Sequence, residues 1–140
     1  MKNSKFILVL TIIVMVAGCA STDLESTAEA DKKPIQHLKV DDVSTMEEAE
    51  RIFIDSTSKI REKTKLDVTE LQEIHIITYT LEKSVAYLAQ NLKGDRQDLA
   101  KEIAVIVEDI HLNSEDNLKE KTKMHLKNYM KLADELISGF

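Results

Sequence analysis

Four histidines are the side chains best suited to bind or move something in this chain. Two of them, His75 and His111, follow apolar residues (Ile74, Ile110) in long helical patterns and lie about equally far from a turn near Gly94. If the two segments are antiparallel helices, both imidazoles stand roughly 27 Å from that turn at about 1.5 Å per residue. Glu115 falls at the same height around the next corner, and Asp55 or Ser56 across the one before it. Two imidazoles with a carboxylate beside them are ligands for a transition metal, so His75, His111 and Glu115 form a candidate metal set. The plain alternative is a pair of half-buried histidines that hydrogen-bond carbonyls and helix ends.

Glu108 and His111 have the i, i+3 spacing of di-iron carboxylate bundles. The matching run on the other helix reads Gln72-Glu73-Ile74-His75, and a glutamine is a poor bridging ligand, which argues against that site. His125 matches the height of Met46, a His/Met pairing that would ligate haem, although no Cys-x-x-Cys-His is present. A seam histidine near a core methionine is the simpler reading, so no cofactor is expected, a transition metal at His75 and His111 being the alternative. There is no Gly-rich phosphate loop, no available cysteine nucleophile and no Ser/His/Asp set at helical spacing, so no enzymatic activity is expected.

The single cysteine has a different role. Lys2 and Lys5 precede an apolar run of about 12 residues in "FILVLTIIVMVAGCAST" (6–22), the length of a signal-peptide core and too short to span a bilayer. Val16-Ala17-Gly18-Cys19 resembles the lipobox of bacterial lipoproteins. That resemblance implies cleavage before Cys19, acylation of its thiol with palmitate-type chains, and a membrane anchor. Ala20, where retained lipoproteins carry Asp, points to the outer membrane, facing the periplasm. With Cys19 acylated, no disulfide is available.

Three parts follow from composition: a leader (1–18), a lipidated tether (19–34) rich in Ser, Thr, Ala and charged residues, and a domain (35–140). Without Lys2 and Lys5 the chain has 17 basic and 25 acidic residues, a net −8 that disfavours nucleic acid as a partner. The single Pro and three Gly argue against a turn-rich β fold.

The domain reads as four helices. Ser44 with Glu47 is a capping box ahead of the seam Met46, Ala49, Phe53, Ser56, Ile60. Asp67 with Glu70 opens a second helix, with the seam Leu71, Ile74, Thr78, Leu81, Val85, Leu88, Leu92 and Gly94 as its stop. Asp95 caps a third, with Leu99, Ile103, Ile106 and Ile110. Asn113 or Ser114 caps a fourth, which has Glu115 in its first turn and the seam Leu118, Thr122, His125, Tyr129, Leu132, Leu136. Short connections make the fold all-α, an up-down-up-down antiparallel four-helix bundle. Lys119, Lys123, Lys127 and Lys131 form a basic ridge along the last helix, either a solvated face or a contact for anionic lipid or an acidic partner.

"STMEEA" (44–49), "EIHIITYTLEKSVA" (73–86) and "IHLNSE" (110–115) resemble a family of small secreted bacterial helical proteins of unknown function. His75, Thr78, Tyr79, Glu82, His111, Ser114 and Glu115 fall on its pattern, and His37 also fits. The resemblance implies the bundle and the level pairing of His75 with His111, but no activity. Taken together, the sequence reads as a lipid-anchored envelope protein acting as an interaction or structural module of unknown molecular role, with a periplasmic metal carrier or sensor using His75 and His111 as the alternative.

Overall fold

The computed structural model describes residues 38–140, so the lipobox, Cys19 and the tether lie outside the described residues. These residues form an up-down-up-down antiparallel bundle: α1 (Met46–Arg61), α2 (Val68–Asn91), α3 (Asp95–Glu115) and α4 (Lys119–Ile137). Each helix packs on its sequence neighbours and α4 closes on α1, with the α2–α3 interface the most extensive.

Each helix start is set by local chemistry. At α1 the capping box sits one residue later than expected: Thr45 is the N-cap and its Oγ1 accepts the Glu48 N–H at 3.1 Å. Glu48 Oε2 accepts both the N–H and the hydroxyl of Ser44, two donors held by one carboxylate, so the box closes on Thr45 rather than Ser44. At α2 the expected N-cap forms, with Asp67 Oδ1 accepting the Glu70 N–H, while the Glu70 carboxylate reaches back to the N–H groups of Lys65 and Leu66.

Two corners differ from the expected ones. α2 ends at Asn91, and Gly94 serves as the N-cap of α3 rather than the stop of α2; its carbonyl accepts the N–H groups of Gln97 and Asp98. Gly94 has φ +62 and ψ −146, a conformation open essentially only to glycine, although a Cβ there would meet nothing within 4 Å. α3 does not stop at Asn113 or Ser114 but runs to Glu115, and the chain turns through Asn117 at φ 56. Asn113 and Ser114 are N-cap types, yet their side chains donate back to the carbonyls of Asp109 and His111 inside the helix. Glu115 therefore sits one turn beyond His111 on the same helix, not in the first turn of α4.

The seams of α1 and α2 are the expected ones: Ala49, Phe53 and Ile60 are buried, as is every member from Leu71 to Leu92. On α3 the buried line is Ala100, Ile103, Val107 and Ile110, leaving Leu99 and Ile106 at the margin. On α4 Leu126 takes the place expected for His125. Phe53 and Tyr129 meet edge-to-face at 6.3 Å in the centre. Buried hydroxyls are satisfied, as burial requires: Ser84 donates to the Ala49 carbonyl, and Thr57 donates to that of Phe53 while accepting from Tyr129. Among the described residues the core lies within 43–140, in the compact unit Gln36–Phe140. No helix among the described residues is long and apolar enough to cross a membrane.

Candidate metal centre

On α2, His75, Thr78, Tyr79 and Glu82 follow i, i+3, i+4, i+7 spacing and so share one face. On α3, Glu108, His111 and Glu115 do the same. The wide α2–α3 interface brings the two faces together. His75 is fully buried and His111 nearly so, and their ring centroids are 4.6 Å apart. Tyr79 closes the group, with its ring 5.0 Å from His75 and 4.8 Å from His111.

The Thr78 hydroxyl donates to the His75 carbonyl at 2.7 Å. Its oxygen lies 2.9 Å from His111 Nδ1 and accepts from that nitrogen when it carries a proton. Glu82 Oε1 lies 2.8 Å from the same nitrogen, without the alignment of a full hydrogen bond. His111 Nε2 faces Glu115 Oε2 at 4.0 Å. A carboxylate and a hydroxyl behind a histidine, orienting its other nitrogen, is how proteins support metal-bound imidazoles.

One nitrogen from each histidine and one Glu115 oxygen all lie within 4.8 Å of one another. Ligands of a tetrahedral ion at bond lengths of 2.0–2.1 Å stand about 3.4 Å apart, so modest side-chain closure completes the set. His75 Nε2 lies 3.3 Å from the Tyr79 hydroxyl. His75 Nδ1 is enclosed and has no hydrogen-bond partner. An orphaned buried nitrogen costs about 1–3 kcal/mol, which an aliphatic residue would not incur. His75, His111 and Glu115 are the residues among those described that could hold a divalent ion.

Burial shifts two ionisable groups beside the histidines. Burial pushes the Glu82 carboxyl up to about 7, Glu108 adds to the rise, and Lys83 opposes it. Burial also raises the Tyr79 hydroxyl, as do the negative charges of Glu115 and Glu82, while the Leu38 N–H bound to it opposes the rise. That N–H ties the segment ahead of α1 to the site. The same segment is held along α2 by the Asp42–Lys83 ion pair and by the Tyr87 hydroxyl on the Ser44 carbonyl.

The other sequence candidates are placed elsewhere. Gln72 donates to Asn117, and Asp55 pairs with Arg51. His125 lies at the α3–α4 margin with Nδ1 3.4 Å from Asp109, and Met46 packs part-buried at the edge of the core. Tyr79 and Glu82, marked in the sequence by the family pattern and by their shared face with His75, also come to the site, although seam spacing did not show their approach to His111.

Residues 1–138 match the model of a family described as "Family of unknown function (DUF6746)". No curated protein and no solved structure matches the chain.

Proposed function

The chain belongs to this family of unknown function (DUF6746), and we propose that the protein is a lipid-anchored envelope protein that binds a divalent transition metal, zinc foremost, through His75, His111 and Glu115. The observation that carries the metal reading is the convergence of three ligating atoms within 4.8 Å of one another. Two imidazoles and a carboxylate are a borderline donor set that suits zinc, and nickel or copper(II) next. Calcium and magnesium prefer all-oxygen sites. Three protein ligands leave one tetrahedral position for water or a transferred ligand, which fits a carrier or sensor. The anchor rests on Val16-Ala17-Gly18-Cys19 and the short apolar run before it. Mass spectrometry of the N-terminal peptide tests it: a diacylglyceryl mass on Cys19 supports the anchor, and an unmodified thiol refutes it. Native mass spectrometry of the 36–140 unit after zinc loading tests the metal. One tightly held zinc, lost in His75→Ala and in His111→Ala, is the expected result.

A second reading, an interaction module for an envelope protein, is favoured by one observation. A groove of about 630 Å³ between α1 and α2 is lined by Val68, Ile76 and Ile77, and Val68 is 64% exposed. Val68→Glu with Ile76→Glu should abolish a specific cross-link in the intact envelope if that reading is right.

A further inference from the structure

Although the chain is acidic overall, its basic residues are gathered in one place. Segments 59–65 and 119–131 hold nine of the 19 lysines and arginines but only two of the 25 acids. The fold sets these segments side by side: Lys119 Nζ donates to the Lys65 carbonyl at 2.7 Å, and Arg61 on α1 pairs with Asp134 on α4. Between them runs a groove of about 270 Å³ with Ile60, Leu66, Leu126 and Met130 as its floor. Arg61, Lys63, Lys123 and Lys127 stand on its walls, and no carboxylate lines it. Arg61 and Lys63 have acidic partners; Lys123 and Lys127 have none among the described residues.

An apolar floor under cationic walls is complementary to an amphiphilic anion: phosphate against the lysines, hydrocarbon against the floor. We propose that this α1–α4 groove is a docking surface for anionic phospholipid at a membrane. The clustered cations draw the domain to the surface against its net charge and orient it with this face inward. This inference uses neither the metal site nor the acylation of Cys19, so it can fail or succeed independently of both.

The test is flotation of the 36–140 unit, which has no acyl group, with vesicles of phosphatidylglycerol and phosphatidylcholine or of phosphatidylcholine alone. Binding to the anionic vesicles only, reduced at least tenfold in Lys123→Glu/Lys127→Glu, is expected. Lys93→Glu/Lys101→Glu carries the same change in net charge away from the groove and should bind as the parent does. Equal loss in both double variants would mean net charge alone governs binding and would overturn the proposal. So would no binding to anionic vesicles at low salt, which would leave an acidic protein as the partner for these lysines. Leu126→Gln separates floor from walls: it should weaken vesicle binding without changing the salt dependence, and unchanged binding would refute the apolar half. Circular dichroism on each variant confirms that the bundle is intact.

Discussion

The Thr78 hydroxyl stands between His75 and His111, donating to the carbonyl of one and accepting from Nδ1 of the other at 2.9 Å. With its proton given to the His75 carbonyl, the Thr78 oxygen favours the form of His111 that carries a proton on Nδ1. Thr78→Val removes that acceptor while keeping the side-chain shape. We expect zinc affinity to fall about tenfold, the lower end for residues that support a ligand, with helix content unchanged. Competitive titration against a chromophoric chelator measures it; unchanged affinity would mean that Glu82 alone holds the tautomer.

Glu82 supports the same nitrogen from the other side. Glu82→Gln should reduce zinc affinity 10- to 100-fold without loss of the bundle, whereas Glu73→Gln, on the exposed face of α2, should not.

Glu82 also gives the metal-free protein a pH dependence with a definite sign. Burial keeps a proton on its native carboxyl up to about 7, above the ordinary glutamate value of 4.5. The native state therefore binds more protons than the unfolded state in that window. This contribution to stability is fully present below pH 4.5 and is lost as pH rises through about 7. Urea unfolding in chelator across that range should show the decline, and Glu82→Gln should flatten it.

Much of this arrangement could be read from the sequence. The α2 seam repeats 3, 4, 3, 4 without a break, and connections of a few residues force antiparallel neighbours, so the level of His75 with His111 followed from distance to the turn. The position of Glu115 did not. Asn113 and Ser114 resemble helix starts by type, but each satisfies its side chain on a carbonyl one turn back, and a left-handed Asn117 makes the corner. Residue types alone do not say which of these competing local bonds forms. The approach of Glu82 to His111 depends on how α2 and α3 are rotated against each other, which seam spacing leaves undetermined within a fraction of a turn. The same holds for His125, displaced from the α4 seam by Leu126.

Stability should rest on the aromatic centre rather than on the site. Phe53→Ala should cost about 3–5 kcal/mol in urea unfolding, the range for a large buried aromatic. Tyr129→Phe, which removes a buried donor from Thr57, should cost about 1 kcal/mol. His75→Leu should leave stability equal or higher, since it removes an orphaned polar atom.

The fourth coordination position is testable through chain connectivity. Leu38 is held to Tyr79 by its N–H, and His37 precedes it in the chain, outside the described residues. Deleting residues up to Leu38, compared with His37→Ala, shows whether that segment supplies a ligand. A loss of zinc affinity in both would assign His37, and a loss in neither would leave the position to water.

The most direct measurement is a zinc titration of the chelator-treated 36–140 unit by isothermal calorimetry, repeated with His75→Ala and His111→Ala. The account predicts one site per chain, submicromolar in the parent and at least 100-fold weaker in either variant. Weak binding that neither substitution changes would contradict it and return both histidines to the packing of α2 against α3.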